Sequence, residues 1–237
     1  MIPDLIHPDG HRRSPTELLL HHRLLAWDIR PGDAVLIIGG FFGTTVQYIL
    51  DLYPEAVVYT ADPQPECYEY LRRRFANDPR VHVLPYALGD CYGSFPMSRV
   101  GTDMASFMLD DVPEIMGEMQ EFGAVMQSLG IERLAWLHMN IEGYEYVLLP
   151  HLLKIGWLPR IGQLAIAAHA LSGDSFVQSW DATRQRIEHT HSLMWTGGPQ
   201  AHRWWAYSVS ERTVRNTRAE LAATGAAVPK TDDWEGS

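Results

Sequence analysis

The sequence predicts an α/β fold in which helices lie on both faces of a mostly parallel β-sheet that ends in an antiparallel hairpin. Short apolar runs alternate with segments of helical periodicity along most of the chain. That alternation is typical of right-handed β-α-β units, whose strands run parallel. With 237 residues, 46% of them hydrophobic, the chain is long enough to bury the core of one such domain.

The first predicted element is a helix over residues 15–27. Ser14 provides a capping side chain, Pro15 suits the first helical position, and Glu17 lies where its carboxylate can reach back to the cap. The stretch 30–33 contains a proline and a glycine, and it ends this helix.

Beyond that break, strands and helices are predicted in turn. Each strand is a short apolar run, and each helix carries apolar residues at helical spacing. In chain order they are strand 34–38, helix 43–53, strand 56–61, helix 64–76, strand 81–86, helix 112–128, strand 133–139, helix 144–154, strand 162–168 and helix 175–190.

Two segments depart from the alternation. Residues 98–110 form an irregular stretch rich in methionine, which we expect to lie near the edge of the sheet where ligands bind. The β-rich runs 191–196 and 203–210 are joined by two glycines and a proline, which is the pattern of a hairpin.

We expect three regions along the chain. Residues 1–30 form a helical segment that packs on the core or acts as its lid, and 31–212 form a single domain. Residues 213–237 hold the end of a helix and a loosely ordered tail, because their composition shifts to Ala, Gly, Pro, Asp and Ser.

Composition argues against several classes of protein. No stretch approaches the ~20 uninterrupted apolar residues of a membrane span, and the amino terminus lacks the order of a secretion signal, so we expect a soluble cytoplasmic protein without a membrane partner. The formal net charge of −10 argues against a broad nucleic-acid surface. The only cysteines, Cys67 and Cys91, are not in a CxxC pattern, and we expect both to be reduced and packed.

A glycine-rich turn follows the first predicted strand. Gly39 and Gly40 end the apolar run, and Gly43 leads into the next helix. Glycines here let the backbone turn sharply and let a ligand approach a helix amino terminus, where N–H groups are free. The alternative is that the glycines are needed only for a tight turn.

Asp62 strengthens the interpretation of the turn as a nucleotide-like site. It lies at the end of the second predicted strand, 23 residues after Gly39. This is close to the ~20-residue spacing of an acidic residue that binds ribose hydroxyls. The alternative is that Asp62 caps the helix that begins after Pro63.

Four motifs along the chain resemble those of the FkbM-type S-adenosylmethionine-dependent methyltransferases. The similarity spans roughly residues 30–170, and its most specific parts are Ala87-Leu88-Gly89-Asp90 and Ile141-Glu142-Gly143. The motifs are Gly39-Gly40-x-x-Gly43, "ADPQPECYEYL", "VHVLPYALGDCYGSF" and "LAWLHMNIEGYEYVLL".

The resemblance implies that 31–212 is a class I methyltransferase-like domain, with a seven-stranded sheet whose last strand is antiparallel. It implies methyl transfer from S-adenosylmethionine to a hydroxyl of a small natural-product or sugar-like intermediate in biosynthesis. The residues it assigns to the cofactor are Gly39, Gly40, Phe41 and Gly43 for the methionine moiety, Asp62 for the ribose, Ala87 and Leu88 for adenine, and Asn140.

The chain departs from the family pattern at several positions, among them His138 in the place of a usual lysine and Ala167 in the place of a frequent glutamate. Three further departures bear on the cofactor. Ile37 replaces the usual aspartate of the first motif, Phe41 replaces an asparagine, and Asn140 replaces an aspartate. These changes favour a competing hypothesis, in which the protein is a degenerate, non-catalytic partner or scaffold subunit. A third hypothesis is a nicotinamide-linked oxidoreductase, but the spacing of the glycines and the terminal hairpin are less typical of that class.

His169 and His138 are the candidate catalytic bases. Each lies near the carboxyl end of a predicted strand, where ligands bind in open α/β sheets, and an acceptor hydroxyl needs a group to take its proton. The alternative for each is a histidine bonded within the protein, and strand alternation can turn His138 into the packing layer. The candidate substrate contacts are Glu142 and Met104.

No metal is expected, although Asn140, Glu142 and His169 form an alternative hard-cation site for Mg²⁺ or Ca²⁺. Glu142 and Glu145 have the alternative role of charging the start of the next helix. The expected partner is a small-molecule acceptor, with no nucleic acid. The oligomeric state is left open, and a homodimer is one option.

Overall fold

The computed structural model describes residues 29–97, 115–169, 174–197 and 202–210, and the single positions 212, 215 and 219. Three predictions lie outside these residues: the helix 15–27, the methionine-rich segment 98–110 with Met104, and the tail.

The described elements follow the predicted alternation, with the bounds that follow here. The strands are β1 (Ala34–Ile38), β2 (Val57–Ala61), β3 (Val81–Leu84), β4 (Ala87–Gly89), β5 (Gly93–Met97), β6 (Ile115–Glu121), β7 (Leu134–Met139), β8 (Ile161–His169), β9 (Ser192–Gly197) and β10 (His202–Ser208). The helices are α1 (Thr44–Leu52), α2 (Pro65–Arg74), α3 (Phe122–Ser128), α4 (Glu145–Lys154) and α5 (Asp174–Ile187), with a 3₁₀ turn at Leu158–Arg160.

Seven strands form the main sheet in the order β3-β2-β1-β7-β8-β10-β9. The first five run parallel, whereas β10 is antiparallel to both β8 and β9. The predicted α/β fold with a carboxyl-terminal antiparallel hairpin is therefore confirmed. The chain leaves β1 toward β2 but leaves β7 toward β8, so the order of strands reverses between β1 and β7, where open α/β sheets bind ligands.

Helices cover both faces of this sheet because its inner strands are apolar on both sides. Along β1, Leu36 and Ile38 belong to one buried cluster, whereas Val35 and Ile37 belong to another. The first cluster contains residues of α3, α4 and α5, and the second contains residues of α1 and α2. The carboxyl ends of β1, β2, β7 and β8 therefore lie side by side between the two cores.

The predicted helix 112–128 is wrong over its first half. Residues Ile115–Glu121 are strand β6, in which exposure alternates: Met116 and Glu118 are exposed, while Gly117 and Met119 are buried. That two-residue period is a strand pattern.

The helix begins only after Glu121. The side chain of this residue caps α3 by accepting hydrogen bonds from the N–H groups of Gly123 and Ala124, at 2.9 and 2.7 Å. Together with β4 and β5, β6 forms a three-stranded sheet that was not predicted. Its pairing joins segments distant in sequence, which local pattern does not reveal.

The prediction that both cysteines are packed holds for only one of them. Cys67 is buried as predicted, but Cys91 is exposed, and both are free thiols. Trp205 is a core residue, with its ring centroid 5.4 Å from that of Trp180. Among the described residues, no helix has the length and apolar character that crossing a membrane requires.

Candidate functional site

The turn between β1 and α1 is built on glycines because neighbouring elements approach it closely. Gly39 has φ +83°, and a Cβ there would lie 2.0 Å from the backbone oxygen of Asn140. At Gly43, with φ +77°, a Cβ would lie 2.6 Å from the ring of Phe75. Each of these contacts leaves no room for a side chain, so the glycine spacing has a packing cause within the protein itself.

Asp62 fastens this turn to the next strand. Its carboxylate Oδ2 accepts a hydrogen bond from the N–H of Phe41 at 2.7 Å, and Oδ1 accepts one from the N–H of Gln64 at 3.0 Å. Helix α2 has Gln64 as its N-cap, so Asp62 lies just before the helix and bridges two loops.

The carboxylate of Asp62 lies almost entirely inside the protein. The residue is 5% exposed, and burial raises the pKa of its carboxyl to about 6 although both hydrogen bonds act to lower it. Its oxygens offer about four acceptor positions, and the two backbone bonds use two of them.

Two aromatic side chains extend from the turn on the α2 side. Phe41 has φ +46°, in the left-handed region, and its ring centroid lies 4.0 Å from that of Phe42. The ring of Phe42 meets Tyr70 edge-on at 5.1 Å, and Arg74 donates a hydrogen bond to the Phe42 carbonyl at 2.8 Å. Both phenylalanines are half-buried. The turn is thus anchored to α2 as well as to β2.

Asn140 lies beside the reversal of strand order. Its N–H donates to the carbonyl of Ile38 at 3.1 Å, so the residue continues the pairing of β7 with β1. Its side-chain Oδ1 is buried and accepts no hydrogen bond from any residue that the structure describes. A buried oxygen without a donor is costly, and it fits a ligand that brings an N–H or ammonium group.

The loop after β7 is shaped by Glu145. This residue is fully buried, and its Oε1 accepts from the N–H of Ile141 while Oε2 accepts from that of Gly143, both at 2.8 Å. Between these two anchored amides stands Glu142, a non-glycine residue with φ +54°. Such a conformation is uncommon for a glutamate and persists only where the surroundings hold it.

His169, at the end of β8, joins the two glutamates. Its Nδ1 lies 3.0 Å from Glu145 Oε1, and its Nε2 lies 3.2 Å from Glu142 Oε2. Burial alone would lower the pKa of the imidazole, but the hydrogen bonds and charges of the two glutamates outweigh it and raise the pKa to about 10. His169 is therefore an imidazolium at neutral pH. Tyr146 fixes its backbone by donating to the His169 carbonyl at 2.9 Å.

His138 lies within the sheet. The residue is 3% exposed, it is in register with Ile37 on β1 and Ala165 on β8, and its ring centroid is 5.3 Å from that of Trp136. Its side chain belongs to the packing layer on the α1 side of the sheet. This is the alternative to a catalytic base that strand alternation offered for His138.

The residues assigned to adenine lie in the small sheet. Ala87 is half-buried and Leu88 is buried, and both are paired in β4 with β6. Just beyond them, Asp90 accepts a hydrogen bond from the Tyr144 hydroxyl at 2.6 Å, which ties β4 to the start of α4 and lowers the pKa of the Asp90 carboxyl.

The structure thus brings the sequence-predicted residues into two groups. Gly39, Phe41 and Asp62 meet above β1 and β2, whereas Glu142 and His169 meet above β7 and β8. Asn140 lies between the groups. No group of three or more His, Cys, Asp or Glu within the described ranges has the geometry of a metal site.

The sequence analysis did not predict that Glu145 organises the loop after β7, or that Tyr146 holds the backbone of His169. Glu145 was considered only as a helix-charging residue, but it organises the loop that precedes the helix. The available signal was its position two residues after Gly143 and four after Ile141, since short side-chain-to-backbone bonds favour such spacings.

Comparison with known proteins defines the fold. No family model matches the chain, and no curated protein matches its sequence. A solved fibrillarin in complex with Nop5p is similar with a TM-score of 0.54 and 15% identity, over 86% of this chain and 87% of that one.

Two further structures are similar at the same level. Fibrillarin from Aeropyrum pernix, solved with natively bound S-adenosyl-L-methionine, has a TM-score of 0.52 and 12% identity, over 82% of this chain and 74% of that one. An rRNA methylase from Streptococcus thermophilus has a TM-score of 0.50 and 13% identity, over 83% of this chain and 96% of that one. The chain therefore shares the class I methyltransferase fold, and membership of the FkbM-type family stays a prediction.

These similarities correct the expected partners. We expected a small-molecule acceptor, with a homodimer as one option for the assembly, and excluded nucleic acid from the net charge of −10. Proteins of this fold include one solved with a protein partner, Nop5p, and one that is an rRNA methylase. Overall charge describes the whole surface and does not exclude a local contact with RNA or protein, so that expectation is wrong as an exclusion.

Proposed function

We propose that this protein is an S-adenosylmethionine-dependent methyltransferase that transfers a methyl group to an acceptor oxygen. The observation that carries the proposal is the joining of Asp62 to the glycine turn at the carboxyl ends of β2 and β1, beside the reversal of strand order. The fold supports it, since structures that share it include one with bound S-adenosyl-L-methionine.

Two features of the chain fit this cofactor. Asp62 has acceptor positions beyond the two that its backbone bonds use, and a carboxylate can receive both hydroxyls of a ribose. The Oδ1 of Asn140, buried without a donor among the described residues, fits the ammonium of the methionine moiety. These residues, with the backbone of Gly39 and Gly40, would hold the cofactor across the junction of β1 and β7.

When bound, the cofactor supplies a methyl group on a positively charged sulfur, which is open to in-line displacement. The protein's work is then to align the acceptor oxygen and to remove its proton. Glu142 and His169, 3.2 Å apart beyond the end of β7 and at the end of β8, are titratable groups at the edge of the sheet where ligands bind. Because His169 is already protonated at neutral pH, it would act there as a cation.

Calorimetry on the purified protein tests the proposal. We expect S-adenosylmethionine to bind with micromolar affinity and NAD(H) to give no heat. Binding of NAD(H) instead would favour an oxidoreductase. Incubation with methyl-labelled S-adenosylmethionine and separate RNA, protein and metabolite fractions of cells then identifies the acceptor class.

A non-catalytic partner subunit is the second candidate. The burial of Asp62 and its two backbone bonds favour it, because these bonds alone account for a structural carboxylate. Ile37, in the place of a usual aspartate, is fully buried in the core and offers nothing to a ligand. Silence with both S-adenosylmethionine and NAD(H) in the same calorimetry would support this candidate.

A further inference from the structure

Three side chains at the carboxyl ends of β7 and β8 form a network in which exposure to solvent falls from one member to the next. They are Glu142, His169 and Glu145. Their side chains are 17%, 8% and 0% exposed, in that order. The network therefore opens toward solvent at Glu142 and closes at Glu145. Glu142 is therefore the most accessible of the three side chains to a molecule at this edge of the sheet.

The position of Glu142 is fixed from three sides. Glu145 holds the amides of Ile141 and Gly143, which flank it, and His169 holds its carboxylate. These contacts maintain a φ of +54° that a glutamate rarely adopts. Strained residues that the surroundings over-determine cluster at functional sites, where the strain fixes a side chain for its task.

The charges of the network point to Glu142 as the proton acceptor. Glu145 is fully buried and already receives two amides and the imidazole. His169 carries a proton at neutral pH, because the two glutamates raise its pKa to about 10. Two glutamates beside one imidazolium give this network more acidic than basic groups, which suits the positively charged sulfur of the proposed cofactor.

We propose that Glu142 faces the methyl group in transfer and is the general base of the reaction. The inference rests on the proposed function. As the acceptor oxygen forms its bond to the methyl carbon, the carbon–sulfur bond breaks and its electron pair stays on sulfur. The acceptor's hydroxyl proton passes to the Glu142 carboxylate, which later releases it to water. His169 keeps its proton throughout and holds Glu142 in place.

A pair of cofactor analogues tests this placement without knowledge of the acceptor. S-adenosylhomocysteine lacks the transferred methyl, whereas sinefungin carries an amine on carbon in place of the methylated sulfur. That amine is protonated at neutral pH and projects toward the acceptor side. It should pair with Glu142, so we expect the wild-type protein to bind sinefungin on the order of 10-fold more tightly than S-adenosylhomocysteine.

Glu142→Gln keeps the shape of the side chain but removes its charge. We expect the preference for sinefungin to fall about 10-fold, with the affinity for S-adenosylhomocysteine unchanged. Glu132→Gln is the matched control, because Glu132 is exposed just before β7 whereas Glu142 follows its end. The control should keep the wild-type preference.

The outcomes separate the two proposals. The assignment of Glu142 is overturned, while the proposed function stands, if the wild-type protein binds both analogues equally. It is also overturned if Glu142→Gln keeps the preference for sinefungin or binds both analogues more weakly by the same factor. A wild-type protein that binds neither analogue contradicts the proposed function itself. If Glu142→Gln does not fold, the same comparison is made with Glu142→Asp, whose carboxylate is one methylene further from the ligand. An unchanged preference for sinefungin again overturns the assignment.

Discussion

The Oδ2 atom of Asp62 accepts a hydrogen bond from the backbone N–H of Phe41 at 2.7 Å, across 21 positions of sequence. This bond closes the glycine turn after β1 against the end of β2. A backbone N–H that points at a buried carboxylate stabilises one conformation of the turn, so the same side chain that would bind a ribose also shapes the loop beneath it.

Replacement of Asp62 by alanine should therefore affect both stability and binding. We expect the free energy of unfolding to fall by about 1–3 kcal/mol, since two backbone N–H groups lose their acceptor. Affinity for S-adenosylmethionine should fall 10-fold or more by the same reasoning. Urea denaturation and calorimetry measure the two effects.

Asp33→Ala is the control for this variant. The Oδ2 of Asp33 also accepts a backbone N–H, that of Arg30 at 2.9 Å, but at the opposite end of β1. Its loss should change stability only slightly, because the bond is exposed, and should leave cofactor affinity intact. Equal cofactor affinity in wild type and Asp62→Ala would show that Asp62 has no part in the cofactor site.

The pH dependence of stability should report the burial of Asp62. Burial raises the pKa of this carboxyl from 3.8 to about 6 in the folded protein, so the native state binds the proton more tightly than the unfolded chain. The stabilisation from protonation is fully present below about pH 4 and is lost as the pH rises through about 6. It amounts to about 3 kcal/mol at most.

Wild type and Asp62→Asn should therefore differ in this window. As pH falls from about 7 to about 4, the stability of the wild type should rise relative to that of the variant, which cannot titrate at this position. Urea denaturation at several pH values measures the difference. A constant difference across the range would mean that the carboxyl of Asp62 titrates near its usual value.

Gly39→Ala isolates the close approach between the turn and the loop after β7. A Cβ at this position would lie 2.0 Å from the Asn140 backbone oxygen, in addition to the strain of φ +83°. We expect the variant to lose more than about 3 kcal/mol of stability or to fail to fold. Thermal denaturation is a sufficient measurement.

Gly32→Ala provides the comparison. Gly32 has a similar φ of +77°, yet a Cβ there would meet nothing within 4 Å. Gly32→Ala should therefore lose only the stability that the left-handed backbone conformation costs an alanine, which is about 1–2 kcal/mol. If the two variants lose the same stability, the contact with Asn140 imposes no constraint on the turn.

His169→Gln should destabilise the protein by about 3 kcal/mol at neutral pH, because the buried Glu145 and the half-buried Glu142 lose the cation between them. The pKa of His169 is raised from 6.5 to about 10, so its contribution is fully present below about pH 6.5 and is lost as the pH rises through about 10. The stabilities of wild type and variant should thus converge between about pH 7 and about pH 10.

His189→Gln is the matched control, since His189 is exposed after the end of α5. It should leave stability unchanged across the same range. Nitrogen chemical shifts of the imidazole of His169 provide an independent measurement, and a ring that is neutral at about pH 8 would contradict the ion pairs described here.

The sequence was most informative where local pattern and chemistry agree. The alternation of apolar strands and periodic helices predicted the fold, and Gly197 with Gly198 predicted the hairpin. The spacing of Asp62 to the glycines agrees with its hydrogen bond to the glycine turn, and its binding of ribose stays a prediction. The small sheet was not, because β6 pairs in parallel with β4 and antiparallel with β5, and such pairing has no local signature.

Sequence alone therefore determined where β1, β2, β7 and β8 end to within one residue, because strand period and glycine punctuation are local properties of the chain. Only tertiary structure decided what the residues at those ends do to one another. His169 is a cation because Glu142 and Glu145 reach it from another strand's loop, and Asp62 titrates near pH 6 because the fold removes water around it. Charge states of this kind depend on distance and burial, and both arise only when segments far apart in sequence pack together.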